Sequence, residues 1–178
     1  DFAFLQQAGA VAGFTVEEAA TVELTGSRVS STRVREALQA SDFAEAEHLL
    51  GRPFAIAGRV VHGQKLGRQL GTPTANVQLK RHRVPLNGVF LVSVELEGVL
   101  QPGVANIGVR PSVKADGFAH LEVHLLDFTG DLYDRRVSVV FHHKLRDEQR
   151  FASLEALKSA IAADVIAARA YWQAQLNS

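Results

Sequence analysis

The chain has 178 residues and a mass of 19.3 kDa, which allows one ordinary domain, or one small domain with a fragment of another. Hydrophobic residues make up 47% of the sequence and charged residues 21%, so a sizeable core is possible and wholesale disorder is excluded. The 19 basic residues balance the 19 acidic ones. The sequence therefore lacks the broad cationic field that non-specific binding to nucleic acid or an anionic membrane needs.

The sequence contains neither cysteine nor methionine. The lack of cysteine excludes disulfides, thiolate nucleophiles and Cys-based metal sites, and fits a reducing compartment. Because a natural chain normally starts with methionine, we expect the N-terminus to be processed or truncated. No apolar run is long enough to cross a bilayer and no signal segment is evident, so we predict a cytoplasmic protein with no membrane partner.

The N-terminal part alternates between helical and extended patterns. Residues 2–14 predict a helix closed by a glycine, and residues 16–24, which are rich in β-branched side chains, predict a strand. Residues 34–40 and the segment that begins at Asp42 predict two short helices. The Gly51-Arg52-Pro53 step after them is the predicted domain boundary.

The hydrophobic period changes after this step. Strand patterns are predicted over residues 54–61, 88–96, 121–128 and 136–145. From Ser153 the pattern is helical again, and its predicted apolar stripe consists of Leu154, Leu157, Ile161, Val165, Ile166 and Tyr171. Short strands without long helices between them predict a closed antiparallel barrel with this helix packed outside.

The densest group of chemically useful residues lies between positions 62 and 76. It contains three glycines and two cations, namely Gly63, Gly67, Gly71, Lys65 and Arg68. Backbone amides in such a loop approach a ligand closely and the cations pair with phosphates, so this is a candidate polyphosphate cradle. The Walker and dinucleotide glycine spacings are absent, and a surface loop whose glycines only turn the chain explains the composition equally well.

Two neutral side-chain oxygens follow in the same segment. Thr74 and Asn76 are two positions apart, so they face the same way on an extended chain. Hydroxyl and amide oxygens suit Mg²⁺, which shares its coordination with substrate phosphates. The alternative is that both side chains cap backbone groups where the chain leaves a turn.

Glu122 lies in a predicted strand with His120 and His124 on the same face. A carboxylate so placed at a barrel mouth acts as a general base toward a hydroxyl, whereas a glutamate on an edge strand usually points to solvent. Metal ligation by the two histidines is disfavoured, because no third ligand and no His-Glu-x-x-His helix is evident.

Two further segments carry polar side chains suited to ligands. Residues 102–112 present Asn106 and Arg110, although this segment could be only a strand flanked by turns. Residues 30–35 place hydroxyls and guanidinium groups at a helix N-terminus, where the dipole favours an anion. Ordinary capping explains these hydroxyls equally well.

In order along the chain, these segments resemble one family, the bacterial bifunctional riboflavin kinases and FMN adenylyltransferases, also called FAD synthetases. The matching motifs are Gly58-Arg59-Val60-Val61-His62-Gly63, Gly67-Arg68-Gln69-Leu70-Gly71-Thr72-Pro73-Thr74-Ala75-Asn76, Gly103-Val104-Ala105-Asn106-Ile107-Gly108-Val109-Arg110-Pro111 and Leu121-Glu122-Val123-His124. The Pro-Thr-Ala-Asn tetrad is the most specific of them. Thr72, by contrast, stands where the family often has a bulky apolar residue.

The resemblance implies a mainly β fold, a six-stranded antiparallel Greek-key barrel with a C-terminal helix. It implies an ATP-dependent kinase that phosphorylates riboflavin to FMN, with Thr74 and Asn76 holding Mg²⁺ and Glu122 taking the proton of the riboflavin 5′-hydroxyl. Segments 131–134 and 144–148 are expected near the flavin. The residues assigned to substrate binding are Gly63, Lys65, Gly67, Arg68, Gly71, Pro73, Thr74, Asn76, Asn106, Arg110 and Arg146.

Residues 29–35 resemble the signature that closes the adenylyltransferase site of this family. We therefore expect residues 1–51 to be an α/β remnant of that Rossmann-like domain and residues 52–178 to be the riboflavin kinase domain. FAD formation is expected only in the full-length protein, where the N-terminal adenylyltransferase domain is the partner. The alternative function is a non-catalytic barrel that binds flavin. A nucleic-acid partner is disfavoured by the neutral charge and the 7% aromatic content.

Overall fold

The computed structural model describes residues 1–18, 20–24, 26–63, 72–79, 84–109 and 119–176. The helices are α1 (Phe2–Ala12), α2 (Ser31–Gln39), α3 (Phe43–Leu50) and α4 (Leu154–Leu176). The strands are β1 (Glu23–Leu24), β2 (Ser27–Arg28), β3 (Ala55–Val61), β4 (Ala75–Val77), β5 (Gly88–Leu96), β6 (Val99–Val109), β7 (Ala119–Leu125) and β8 (Arg136–Arg146).

Six of the strands close into an antiparallel barrel in the order β3-β4-β7-β6-β5-β8. β5 and β6 form a hairpin whose two turn residues, Glu97 and Gly98, both have positive φ, as a tight hairpin turn requires. Pairing of β3 with β8 closes the barrel. The predicted mainly β barrel with a C-terminal helix outside it is therefore confirmed, and residues 102–109, expected as a loop or a strand, belong to the long strand β6.

The barrel interior is filled by alternate residues of its strands. On β7, Leu121 and Val123 are buried in this core, while the intervening Glu122 points to the outer face and is half-buried. Helices α2 and α3 pack on the core, where the ring centroid of Phe43 lies 5.9 Å from that of Phe90. The barrel interior is thus a packed core, and the Glu122 side chain lies outside it.

Helix α4 covers part of the outer face. Ala168, Val165, Tyr171 and Trp172 pack over apolar residues of β5 and β6, and the Ser153 hydroxyl accepts from the Ala156 amide as the predicted N-cap. The predicted apolar stripe is wrong at two positions, because Leu154 and Ile166 are 50% and 68% exposed. The helix touches the barrel along a narrower stripe than the sequence suggested. Among the described residues, no helix combines the length and apolarity that crossing a membrane requires.

The N-terminal elements agree only in part with the sequence pattern. Helix α1 ends at Gly13, which has a φ of 81°, and Asp42 caps α3 by accepting from the Glu45 amide. The predicted strand over residues 16–24 is wrong except for β1, which pairs only with β2. A β-rich sequence forms a strand only beside a partner, and no described strand lies next to residues 16–18 and 20–22.

A β-bulge in β8 places two adjacent histidines against α4. The register shifts opposite Leu91, so the ring of His142 lies 5.0 Å from Trp172 and that of His143 lies 6.4 Å from Tyr171. Neighbouring residues of a regular strand face opposite sides of the sheet. Here the bulge is the reason that both histidines contact α4.

Burial lowers the pKa of His142 below its ordinary value of 6.5, an effect that the charge of Glu47 partly offsets. The ring shares a 2.8 Å hydrogen bond with the buried Ser93 hydroxyl. As the pH falls through 6.5, His142 is protonated in the unfolded chain before it is protonated in the folded protein. The contribution of this group to the free energy of unfolding is therefore fully present above pH 6.5, and it is lost as the pH falls toward the folded-state pKa.

We therefore expect the free energy of unfolding, measured by urea denaturation, to fall more steeply between about pH 7.5 and pH 5.5 in the wild-type chain than in His142→Gln. The slope from one histidine is at most about 1.4 kcal/mol per pH unit. His48→Gln, at an exposed position of α3, is the matched control and should keep the wild-type slope. Equal slopes for the wild type and His142→Gln would contradict the assignment.

Candidate functional site

Three polar side chains lie in a row on the outer face of the barrel. Glu122 on β7 is directly opposite Asn76 on β4 and directly opposite Asn106 on β6. Opposite residues of antiparallel strands point to the same face, with Cβ atoms roughly 5 Å apart. The sheet therefore places one carboxylate between two carboxamides.

Glu122 and Asn106 of this row line a cavity of about 270 Å³ between the barrel and α4, which we call the helix-side cavity. Its polar lining includes Thr72, Thr74, Asn106, Glu122, His124, Arg146 and Glu148, and its apolar lining includes Val89, Val104, Phe151, Leu157, Ile161 and Val165. An apolar wall with a few convergent polar groups is the usual composition of a small-molecule site.

An ion pair fixes Arg146 at one side of the helix-side cavity. Its Nε and one terminal nitrogen donate to both carboxylate oxygens of Asp164 on α4, at 2.8 to 3.2 Å. Asp164 is only 8% exposed, and the guanidinium also lies 5.6 Å from the ring centroid of Phe151. The pair ties the end of β8 to α4 and holds the arginine in one orientation.

The segment before β4 is held by contacts with neighbouring strands. The Nδ1–H of His124 donates to the Pro73 carbonyl at 2.9 Å, which fixes the backbone beside Thr74. Gly63 packs directly on Asn76, because a Cβ built on Gly63 would lie 2.2 to 2.6 Å from the Asn76 carboxamide. Only glycine fits at this position without displacing that amide.

A second cavity of about 340 Å³, which we call the loop-side cavity, lies next to the first. It is lined by Val60, Pro73, Thr74, Ala75, Val123, Leu125, Phe128, Gly130, Asp131, Leu132 and Tyr133. Thr74 lines both cavities, so a molecule in one is a neighbour of a molecule in the other. Tyr133 packs on the ring of His62 at a centroid distance of 3.9 Å.

The structure brings several of the predicted site residues together. Thr74, Asn106, Glu122 and Arg146 line the helix-side cavity, Pro73 lines the loop-side cavity with Thr74, and Asn76 and Gly63 adjoin them. Of the segments expected near the flavin, residues 144–148 reach the helix-side cavity, whereas residues 131–133 line the loop-side cavity. The predicted ligand residues Lys65, Gly67, Arg68, Gly71 and Arg110 lie outside the described residues.

Several residues of the helix-side cavity were assigned no binding role from the sequence, among them Asp164, Thr72 and Glu148, although Glu148 belongs to the segment 144–148 that was expected near the flavin. Asp164 gave no signal because it lies within a helical sequence pattern. Glu148 reaches the cavity because its carboxylate, in the chain after β8, packs closely on Gly108. Thr72 lies within the segment 62–76 that the sequence singled out for its chemically useful residues. Asp134, at the end of the segment 131–134 expected near the flavin, has a φ of 62°, a left-handed conformation that aspartate tolerates.

Residues of the adenylyltransferase-like signature lie elsewhere. Ser30, Ser31 and Arg35 line a separate cavity of about 960 Å³ between the N-terminal helices and β3, which also contains Arg59 and Arg136. Ser30 caps α2 by accepting from the Arg33 amide. No residue that lines this cavity lines the helix-side cavity.

A closed barrel with one carboxylate among neutral oxygens, beside two adjoining cavities, is suited to a transferase that holds two small substrates together. The sequence model of the flavokinase family, described as riboflavin kinase, matches residues 50–172. The chain belongs to the riboflavin kinase family, and the resemblance inferred from its motifs is confirmed.

The chain is similar to longer bacterial proteins. It is 76% identical over 170 residues to the bifunctional riboflavin kinase/FMN adenylyltransferase of Pseudomonas fluorescens, and 53% identical over 173 residues to that of Escherichia coli strain K12. These alignments cover 96% and 97% of this chain and 55% of each relative. The chain therefore spans about half the length of the curated relatives it matches.

A solved structure shares the fold. A Streptococcus pneumoniae protein, described as a macrolide-efflux protein, superposes with a TM-score of 0.73 at 34% identity. The superposition covers 88% of this chain and 52% of that protein. The described function of that protein has no counterpart among the features above, so only its fold informs this chain.

Proposed function

We propose that this chain is an ATP-dependent riboflavin kinase that transfers the γ-phosphoryl group of ATP to the 5′-hydroxyl of riboflavin, giving FMN and ADP. The observation that carries the proposal is the position of Glu122. It lines the helix-side cavity with Thr74, and Thr74 also lines the loop-side cavity. Two substrates in these cavities would meet at the carboxylate.

The helix-side cavity suits the flavin. Phe151, Leu157 and Ile161 offer an apolar wall for the fused ring, and Arg146 borders the same space. In this placement the sugar-alcohol chain of riboflavin runs toward the polar row of Asn106 and Glu122. In this placement the ring is held by apolar contact, and the reacting hydroxyl is brought to the polar side of the cavity, where Glu122 lies on the sheet.

The loop-side cavity suits the nucleotide. It is lined by Pro73 and Thr74 of the Pro-Thr-Ala-Asn tetrad and by the aromatic side chains of Phe128 and Tyr133, which can contact a base. A nucleotide in this place directs its phosphates past Thr74 toward Glu122. We propose that the loop over residues 63–71, with Lys65 and Arg68, covers those phosphates.

The donors around Asn76 fit Mg²⁺. Thr74 and Asn76 supply hydroxyl and amide oxygens, and the carboxylate of Glu122 is opposite Asn76, a hard-oxygen set of the kind this ion prefers. The described residues contain no cluster of three or more acidic, histidine or cysteine ligands, so such an ion would be shared with the substrate phosphates. When bound, Mg²⁺ would neutralise phosphate charge, and we propose Thr74 and Asn76 as its protein ligands.

Glu122 is the proposed general base. Its carboxylate takes the proton of the 5′-hydroxyl as the alcohol oxygen forms a bond to the γ-phosphorus, and the bond from that phosphorus to the bridging oxygen breaks to release ADP. The other residues position the two substrates and exclude water. Phosphoryl transfer requires mainly such positioning and charge stabilisation from the protein.

The proposal is tested by incubating the purified chain with riboflavin, ATP and Mg²⁺ and measuring FMN and ADP by chromatography. We expect both products in equal amounts, and none when ATP is replaced by an analogue with a non-transferable γ-phosphoryl group. Quenching of flavin fluorescence without ADP formation would instead support the alternative, a flavin-binding module without catalysis.

We also propose that residues 1–51 belong to an adenylyltransferase domain and residues 52–178 to the kinase domain, so that the full-length cytoplasmic protein makes both FMN and FAD. The support is the signature at residues 29–35 and the names of the bifunctional relatives. FMN and ATP mixed with this chain alone should give no FAD, and the full-length protein should give FAD. FAD formation by this chain alone would refute the division.

A further inference from the structure

Two buried oxygen atoms of the helix-side cavity have no hydrogen-bond partner. They are Oγ1 of Thr72 and Oδ1 of Asn106, and both residues line the cavity. Buried side-chain oxygens in folded proteins are nearly always paired, because an unpaired one has lost its hydrogen bonds to water and gained none in return. Two such atoms in one cavity indicate that a molecule bound there supplies the missing partners.

Three other polar side chains of this cavity, those of His124, Arg146 and Asp164, already have partners within the protein. His124 donates to the Pro73 carbonyl, and Arg146 is held by Asp164. Thr72 is informative because valine has nearly the same shape and would fill its place without an unpaired hydroxyl.

Both residues, Thr72 and Asn106, line the same cavity as the proposed base. Asn106 is directly opposite Glu122 across β6 and β7, and Thr72 lies two residues before Thr74, which borders the same cavity. A ligand whose terminal alcohol reaches Glu122 therefore carries its next substituents past Asn106 and Thr72. The apolar wall of Phe151, Leu157 and Ile161 is left for the ring.

We propose that Thr72 and Asn106 hydrogen-bond the secondary hydroxyls of the ribityl chain and thereby select a flavin with a polyol side chain over one with an alkyl chain. Asn106 Oδ1 accepts from one hydroxyl, and Thr72 Oγ1 exchanges a hydrogen bond with another. This inference rests on the proposed function. It adds a specificity-determining residue, Thr72, to the proposed site.

The test compares two substrates and three proteins. The substrates are riboflavin and a flavin with a 5-hydroxypentyl chain, which keeps the terminal alcohol and lacks the secondary hydroxyls. The proteins are the wild type, Thr72→Val and Thr72→Ser. For riboflavin, we expect Thr72→Val to lower kcat/KM about tenfold, the effect of one lost hydrogen bond, and Thr72→Ser to stay within about twofold of the wild type.

For the hydroxypentyl flavin, we expect Thr72→Val to match the wild type within about twofold, because the hydroxyl has nothing to bind there. The Tm of ligand-free Thr72→Val should equal or exceed that of the wild type, since an unpaired buried hydroxyl is removed. Equal losses for the two substrates, or no loss for riboflavin, would overturn the inference.

The same comparison by quenching of flavin fluorescence separates this inference from the proposed function. A wild-type chain that binds riboflavin without phosphorylating it refutes the kinase proposal. In that case a tenfold weaker Kd of Thr72→Val for riboflavin alone still supports the role of Thr72, and equal Kd values of wild type and Thr72→Val for riboflavin refute it.

Discussion

Replacing Glu122 with glutamine should lower the rate of FMN formation about a thousandfold, the typical loss when a general base is removed. Glutamine keeps the size and hydrogen-bonding reach of the side chain between Asn76 and Asn106, but it cannot take the proton of the alcohol. Flavin affinity should change little, because in the proposed placement the ring lies against the apolar wall of the cavity. The rate is measured by single-turnover kinetics and the affinity by fluorescence titration.

A carboxylate on the same barrel provides the matched control. Glu95 is exposed on β5 and does not line the helix-side cavity, so Glu95→Gln should keep the wild-type rate. If the single-turnover rate of Glu122→Gln stays within tenfold of the wild type, Glu122 is not the base, and the proton must leave by another route.

Replacing Asp164 with asparagine should destabilise the fold by about 3 kcal/mol, the lower end of the range for breaking a buried ion pair, because Arg146 keeps some access to solvent. For a chain of this length, that loss corresponds to a fall in Tm of about 6 to 12 °C. Flavin binding should weaken as well, since Arg146 is no longer held at the cavity wall. Calorimetry and fluorescence titration measure the two effects.

The chain offers a second aspartate–arginine pair for comparison. Arg169 of α4 donates two hydrogen bonds to the exposed Asp127, and these bonds hold the pKa of that carboxyl below its ordinary value. Asp127→Asn should leave the Tm nearly unchanged, because exposed ion pairs contribute little. Similar Tm values for the two variants would show that burial of Asp164 does not matter to stability.

Sequence patterns predicted the barrel because its strands are bounded by turn residues and its helices by caps. Asp42 predicts the start of α3, and residues 88–96 agree with the observed bounds of β5. These features are local, so they can be read without knowledge of the tertiary fold. The strand predicted over residues 16–24 failed because a strand depends on a partner that the local sequence does not reveal.

The proposed site combines residues from distant parts of the sequence. Glu122 lies almost 50 residues after Thr74 and Asn76 in the sequence. The pairing of β4 with β7 brings it next to them. The covering of Glu122 by α4, and the pairing of Asp164 with Arg146, depend on how the C-terminal helix docks. No spacing rule relates positions on a helix to a distant strand, which is why these contacts could not be predicted.

A crystal structure of the chain with riboflavin and ADP bound tests the central claim most directly. We predict the flavin ring in the helix-side cavity against Phe151 and Leu157, the ADP in the loop-side cavity, and the 5′-hydroxyl within hydrogen-bond distance of the Glu122 carboxylate. A flavin bound elsewhere, or one whose terminal alcohol points away from Glu122, would contradict the account.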